Sequence, residues 1–264
     1  MKPVTIAKIE LWKLKRQRFP YVMGGIIVLV EIIFGIIRNQ ASSMDLMTVP
    51  TAFELTASVS ANTFRVAAFM LLAFSAMTLS TEMSHGTLKT LLVKPFQRRD
   101  LIFGKALAIL VVSGLVVIGV ALIGVVLGAV FQDFKPLAED DYVIHSLGVL
   151  WGNLIIGFLF TILPVFALCL LGLFCSVLTE SSGVSVSISV GCYLLLELLG
   201  QVKELKFFLL GAFVPFPLNT VESMARGLPT IWAPGIYWLL GNSLIYILIF
   251  LLLSAAIFQR KDII

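Results

Sequence analysis

Three ionisable residues stand inside long apolar stretches of the sequence: Glu31, Arg65 and Glu197. Charged side chains in such surroundings are costly, and they mostly face a protein interior or an aqueous path. An enzyme working at membrane depth would need histidine, paired aspartates or a serine–lysine dyad there, and these three residues supply none of those sets. We therefore interpret them as candidates for lining a translocation path and predict no catalytic residue.

The sequence contains none of the common motifs of nucleotide-binding, metal-binding or nucleophilic hydrolase sites. The pair Gly104-Lys105 has neither the upstream glycine nor the following Ser or Thr of a phosphate-binding loop. The zinc motif H-E-x2-H and the nucleophile elbow G-x-S-x-G are also missing, and the two histidines are far apart. Recurrent serines after Ser181 are interpreted as helix-packing residues. We expect no cofactor or metal bound by this chain itself.

Composition excludes an ordinary soluble domain. The 264 residues are 59% hydrophobic and 13% charged, with a mean hydropathy of +1.04. Soluble domains average about 45–50% apolar and about 25% charged residues. The three cysteines all stand in apolar runs and form no disulfide framework. Most of the surface must therefore face lipid.

Six apolar runs are long enough to cross a membrane as helices. The predicted spans are Tyr21–Ile37, Ala57–Ser80, Leu101–Phe131, Gly148–Val177, Gly183–Gly200 and Gly235–Phe258. The run Phe207–Pro217 is too short to cross, so residues 201–234 are predicted to form an extracellular or re-entrant loop. Residues 1–264 are thus expected to form one all-α membrane domain.

Positive charge is distributed unevenly between the two sides that six spans define. Thirteen Lys and Arg fall in the termini and in residues 81–105 and 178–182, against five in the other connections. Cytoplasmic loops carry the excess of Lys and Arg. Both termini and residues 81–105 are therefore predicted to be cytoplasmic, in a multi-pass protein of the cell membrane.

The N-terminal residues 1–19 combine six cations with an apolar stripe formed by Val4, Ala7, Leu11 and Leu14. Such a stripe is typical of a helix lying on a membrane surface. A cleaved signal peptide is the alternative, but its apolar core would be interrupted by Glu31. We expect an interfacial helix that is retained.

The polar interval 81–105 carries five cations between two apolar runs. Leu88, Leu91 and Leu92 share one face of a short helix, which Pro95 would end. On charge alone, this interval is also typical of an ordinary cytoplasmic loop made basic by its orientation.

The order of residues in this interval resembles a known pattern. It reads Glu82, Gly86, Thr87, Leu88, Lys89, Leu91, Leu92, Pro95, Arg98 and then Gly104-Lys105. This resembles the loop between the second and third helices of ABC-2-type transporter permeases, although Gln97 stands where that family often has Ser or Thr. The resemblance implies a coupling helix within residues 81–100, between helices 2 and 3, and an elbow helix at residues 1–19.

Function follows from that resemblance. It implies a permease subunit paired with a second permease copy or a paralogue and with two ATPase subunits that bind ATP and Mg²⁺. The expected cargo is hydrophobic or amphipathic, such as a peptide, an antibiotic or a lipid-like molecule, and it is exported by alternating access. Membrane lipid is an expected contact and nucleic acid is not. An ATPase-independent channel or an intramembrane enzyme remains the alternative.

One contact within the membrane is also predicted. Glu31 and Arg65 lie at similar depths on the first two spans, about 10 Å from the outer ends. Adjacent antiparallel helices could bring them together as an ion pair. Independent positions, with Arg65 reaching the outer headgroups, are the alternative.

Overall fold

The structure is a computed structural model that describes residues 3–44, 51–86, 98–139, 142–200, 202, 208–228 and 231–261. These residues form helices and one short hairpin. The helices are α1 (Pro3–Arg16), α2 (Phe19–Met44), α3 (Ala52–Ser84), α4 (Arg98–Phe131), α5 (Leu147–Leu178), α6 (Ser182–Leu199), α7 (Leu210–Phe213), α8 (Phe216–Ala225) and α9 (Gly235–Arg260). The strands β1 (Leu137–Glu139) and β2 (Tyr142–His145) pair antiparallel between α4 and α5.

Six helices are long and apolar enough to span a membrane, namely α2, α3, α4, α5, α6 and α9. The predicted all-α fold with six spans is therefore confirmed, with the small hairpin as its one addition in the described chain. The helices α3 and α4 have 33 and 34 residues. At about 1.5 Å per residue each is about 50 Å long, well above the hydrocarbon thickness of about 30 Å. Both must extend beyond the hydrocarbon core.

The helix α3 begins five residues earlier than the apolar run suggested. Thr51 caps it, since its side-chain oxygen accepts a hydrogen bond from the Glu54 amide at 3.3 Å. The helix then contacts α2, α4, α5, α6 and α8, so it forms the centre of the bundle. Contact with α5 is very close at Gly172, where an added Cβ would lie 2.7 Å from the Leu72 carbonyl oxygen. A glycine is therefore required where these helices meet.

The helix α1 lies across the beginning of α4. Its buried face consists of Ile6, Ala7 and Glu10, whereas Val4 is 57% exposed. Of the predicted stripe, Ala7 is buried against the protein and Val4 is exposed, so contact of the stripe with a membrane surface stays a prediction. At Gly104 an added Cβ would lie 2.6 Å from the Ile6 Cβ atom, which shows how closely the two backbones approach.

The segment between α6 and α9 contains the two short helices α7 and α8. Leu210, Val214 and Leu218 are fully buried, and α8 lies against α3 and α5. A Cβ added at Gly157 of α5 would lie 2.8 Å from a methyl group of Val221. The segment is thus built into the bundle. Its placement outside the cell, or as a re-entrant element, stays a prediction.

Candidate coupling site

The predicted coupling residues fall partly outside the described chain. Thr87, Leu88, Lys89, Leu91, Leu92 and Pro95 lie outside the described residues, whereas Glu82, Gly86 and Arg98 lie within them. Gly86 has a φ of +68°, and its amide donates to the Met83 carbonyl oxygen at 3.1 Å. A glycine in this conformation is a common end of an α-helix. Gly86 therefore ends α3 where the candidate segment begins.

Four charged side chains connect α1 to the ends of α3 and α4 that flank the segment. Lys13 Nζ lies 2.9 Å from Glu10 Oε1 and 3.1 Å from Glu82 Oε1. Lys105 Nζ lies 3.3 Å from Glu10 Oε2 and 3.0 Å from Glu82 Oε2. It also donates to the Thr78 carbonyl oxygen at 3.0 Å. We call Glu10, Lys13, Glu82 and Lys105 the inner ion-pair network, after the side of the membrane on which the sequence predicts them.

The two α1 members of this network are held in their charged forms. Burial alone would raise the pKa of Glu10, but the charge of Lys105 and the contacts of Lys13 outweigh it and lower that pKa. Burial would lower the pKa of Lys13, but the charges and hydrogen bonds of Glu82 and Glu10 raise it. Two cations and two carboxylates therefore compensate one another.

This network gives the Gly104-Lys105 pair of the sequence pattern a physical role. Gly104 allows Ile6 of α1 to approach α4, and Lys105 then reaches Glu10 on the next turn of α1. In the count of Lys and Arg on the two sides of the membrane, Lys105 was treated as a cation of the basic loop 81–105. In the structure only 1% of its side chain is exposed, within α4. Sequence reasoning also missed Glu10, although its spacing of three residues from Lys13 is a recognised helical ion pair.

The other end of the segment is held by the last residues of α9. Arg98 Nη1 donates to the Lys261 carbonyl oxygen at 2.6 Å. Lys261 Nζ in turn donates to the Val177 carbonyl oxygen at 3.1 Å and contacts the Met83 sulfur at 3.8 Å. The start of α4 is therefore connected to the ends of α3, α5 and α9.

Serine hydroxyls join three helices one turn before Glu82. Ser176 Oγ of α5 accepts hydrogen bonds from the Leu79 and Ser80 amides of α3, at 3.0 and 2.8 Å. Ser185 Oγ of α6 donates to the Ala76 carbonyl oxygen of α3 at 2.9 Å. Ser185 thus has the helix-packing role expected for this group of serines. The end of α3 is fixed by directed bonds as well as by apolar contact.

Glu31 is fully buried but has a different partner from the one predicted. Ser60 Oγ donates to its Oε1 atom at 3.2 Å, and its Oε2 atom has no hydrogen-bond partner in the described chain. An added Cβ at Gly124 would lie 3.2 Å from Oε1, so α4 covers this carboxyl closely. The expected ion pair with Arg65 is not formed, because packing turns Glu31 towards the interface of α2, α3 and α4.

Arg65 lies on another face of α3. Its side chain is exposed. One turn further along α3, the Phe69 ring lies 4.8 Å from the Tyr193 ring of α6, and Glu197 follows Tyr193 by one turn. Arg65 and Glu197 thus belong to one region between α3 and α6, from which Glu31 is separate.

A second group of charges lies at the opposite end of α3. Arg38 Nη2 lies 2.7 Å from Glu54 Oε1, and Arg226 Nε lies 3.0 Å from the same oxygen. Glu222 contacts both arginines. We call Arg38, Glu54, Glu222 and Arg226 the outer ion-pair network. From the sequence, Arg38 and Glu54 fall in one polar connection between predicted spans and Glu222 and Arg226 in another, with no signal that α3 and α8 would bring them together.

A family model described as ABC-2 family transporter protein matches residues 6–190. The match includes α1 to α5 and the first half of α6, and with them the inner ion-pair network and the flanks of the candidate segment. No curated protein matches the chain. The matched region is well over half of the sequence, and its helices are those that hold the coupling site. The chain therefore belongs to the ABC-2 transporter family of transmembrane transporter subunits, which in general work with an ATPase partner.

Proposed function

We propose that this chain is the membrane-spanning subunit of an ATP-driven exporter and that residues 81–100 dock on a separate ATPase. One observation carries the proposal: both flanks of the segment are bonded to other helices. Glu82 is held by the inner ion-pair network and Arg98 by Lys261. A loop that served only to set orientation would not need these bonds.

A displacement of the segment would reach most of the bundle through those bonds. The inner network transmits it to α1 and α4, and Lys261 transmits it to α5 and α9. The hydrogen bonds from Ser176 and Ser185 connect the end of α3 to α5 and α6. Closure of an ATPase dimer could thus move the spans together, as alternating access requires.

The position of Arg65 supports a translocation path and a second permease copy. It lies thirteen residues into α3, about 20 Å along the helix. A charge at this depth is expected to face protein or water and not lipid. Because the Arg65 side chain is exposed in the single chain, we propose that a second copy or an aqueous path covers it; extension of the side chain to the outer headgroups is the alternative. Arg65 and Glu197 are accordingly proposed to border the path, while Glu31 stays buried behind α3.

The cargo is proposed to be hydrophobic or amphipathic, such as a peptide, an antibiotic or a lipid-like molecule. Charge in the spans is sparse, and the exposed faces of α6 are largely apolar, including Leu194, Leu195 and Leu198. The assembly would contain two permeases and two ATPases in the cell membrane, with both termini cytoplasmic. ATP and Mg²⁺ would bind to the ATPase subunits.

Co-purification of the intact permease with its ATPase tests this proposal. Leu91→Asp should weaken retention of the ATPase at least tenfold, because burying an unpaired charge at an interface centre costs about 2 kcal/mol or more. The matched control is Thr90→Asp, which adds the same charge on the face of the predicted helix opposite the three leucines. Retention and transport unaffected by Leu91→Asp would show that the segment is only a loop. Transport without any ATPase would favour a channel.

A further inference from the structure

An open groove of about 370 Å³ lies between α2 and α4, with the end of α1 at its mouth. Its volume is within the range of about 300–1,000 Å³ that is typical of small-molecule sites. Met23, Ile27 and Val120 form part of its floor. Gly24 and Gly119 also line it, and a Cβ at either glycine would meet no atom within 4 Å. The groove is therefore mainly apolar and unobstructed at both glycines.

Cations stand where this groove opens beside α1. Lys15 lines the mouth. Arg18 lines an adjoining cavity of about 340 Å³, and Leu14 borders both spaces. Both basic side chains are exposed, and neither has a carboxylate partner within the described residues. The inner ion-pair network, in contrast, already compensates its own charges, so Lys15 and Arg18 supply the positive charge beside the groove that is not compensated by a described carboxylate.

The depth of the mouth is indicated by an aromatic residue. Trp12 is 56% exposed, and the Arg16 guanidinium lies 3.7 Å from its ring centroid. Exposed tryptophan beside basic residues is typical of the headgroup level of a membrane. An apolar groove that descends from this level along α2 and α4 matches an acyl chain, and the cations match a phosphate.

We propose that this groove binds an anionic phospholipid, with an acyl chain between α2 and α4 and its phosphate against Lys15 and Arg18. The site would bridge α1 and α4 beside the inner ion-pair network and hold α1 in place. Its assignment to the inner leaflet rests on the proposed orientation, in which residues 1–19 are cytoplasmic. Anionic lipids are concentrated in that leaflet.

Native mass spectrometry of the full-length permease alone tests the site. The probes are phosphatidylglycerol and phosphatidylcholine with identical acyl chains, added to delipidated protein. Wild-type permease should retain phosphatidylglycerol preferentially. Lys15→Gln and Arg18→Gln should each reduce that preference about fivefold, which is the effect of one basic residue near an anionic surface. Lys8→Gln is the control, since this exposed cation lines neither cavity.

A second, independent test of the lipid site fills the groove with a larger side chain. Gly119→Leu should reduce phosphatidylglycerol retention, whereas Gly114→Leu on the same helix should not, because it also enters open space but does not line the groove. The pair Gly24→Leu and Gly25→Leu gives the same comparison on α2. Thermal stability of each variant verifies its fold.

Equal retention of the two lipids, or retention unchanged by both Gly119→Leu and Lys15→Gln, would overturn the proposal and indicate ordinary boundary lipid. Should the groove-filling variants fail to fold, the two glutamine variants still decide it. Lipid retention by Leu91→Asp should equal that of wild type. Loss of the ATPase interaction and loss of the lipid site are therefore distinguishable.

Discussion

The Lys105 ammonium nitrogen lies 3.0 Å from Glu82 Oε2, although only 1% of the Lys105 side chain is exposed. Glu82 precedes the candidate coupling segment and Lys105 follows it, so this contact closes the base of the segment. A buried ion pair contributes little net stability, but removing one partner leaves an uncompensated charge. Helix movements that keep Glu82 and Lys105 together should therefore cost little free energy, whereas separating them should be strongly destabilising.

Lys105→Met should destabilise the permease strongly. It leaves Glu10 and Glu82 with one cation between them, and breaking a buried pair costs about 3–5 kcal/mol. The melting temperature of the purified permease and its retention of the ATPase should both fall. Lys8→Met, at an exposed position of α1, is the control. The double variant Lys105→Met with Glu82→Gln should lose less than the two single losses combined; strict additivity would show that the residues do not interact.

The outer ion-pair network predicts a pH dependence. Burial raises the pKa of Glu222 above its ordinary value of 4.5, and the nearby Glu54 charge adds to this, although Arg226 and Arg38 lower it. A carboxyl with a raised native pKa contributes stability below its unfolded pKa and loses it as the pH rises through the native value. Wild type should therefore lose thermal stability relative to Glu222→Gln when the pH is raised from 4 to 8. Glu180→Gln, at a side chain that is 79% exposed, should show no such difference.

Gly172→Ala should disturb the contact between α3 and α5. Its Cβ would lie 2.7 Å from the Leu72 carbonyl oxygen and even closer to Ser75 Oγ. Overpacking of this kind costs about 1–3 kcal/mol, which a lowered melting temperature would reveal. Gly152→Ala on the same helix enters open space and should be neutral or slightly stabilising. Equal melting temperatures for the two variants would contradict the predicted contact.

The exposed face of α3 should be in contact with water or with a second permease. In a cysteine-free background, Asn62→Cys, one turn before Arg65, should react with a water-soluble maleimide or cross-link two permeases. Leu122→Cys, which is 64% exposed on α4, should face lipid and react slowly. If Asn62→Cys behaves like Leu122→Cys, this face borders neither a path nor a partner.

Orientation can be tested at Asp133, whose side chain is 75% exposed after α4. In the same background, Asp133→Cys should label with an impermeant reagent in intact cells, whereas Lys94→Cys should label only after permeabilisation. Glu222, in the predicted extracellular or re-entrant loop 201–234, is a poorer labelling site, because its side chain is only 20% exposed and is ion-paired. Labelling of Lys94→Cys in intact cells would reverse the topology and remove the coupling site from the cytoplasm.

The spans were predictable because each requires a long apolar run, and all six appear in the predicted order. Their ends were less predictable. Thr51 extends α3 backwards through a side-chain cap, and the polar residues Arg98 to Asp100 form the first turn of α4. Hydropathy does not report capping, so such boundaries shift by several residues.

Side-chain partners were not predictable from depth alone. Glu31 and Arg65 have comparable predicted depths, but Glu31 is turned towards Ser60 and α4, while the side chain of Arg65 is exposed. From the sequence, Lys105 was counted with the cations of the loop 81–105 because the long uncharged apolar run begins only after it. Lys105 is buried because α1 packs over it with the face formed by Ile6, Ala7 and Glu10. The sequence pattern had instead drawn attention to the apolar stripe of α1, which was predicted to face the membrane. Helix rotation is set by tertiary contacts that a single sequence does not encode locally.

The helix α3 carries a carboxylate of each network, Glu54 near its beginning and Glu82 near its end. These residues are 28 positions apart, or about 42 Å along a straight helix. Ion pairs therefore hold the same unbroken helix near both of its ends. If residues 81–100 dock on an ATPase as proposed, a displacement of the Glu82 end would also strain the ion pairs of Glu54, along a route that does not pass through the cargo.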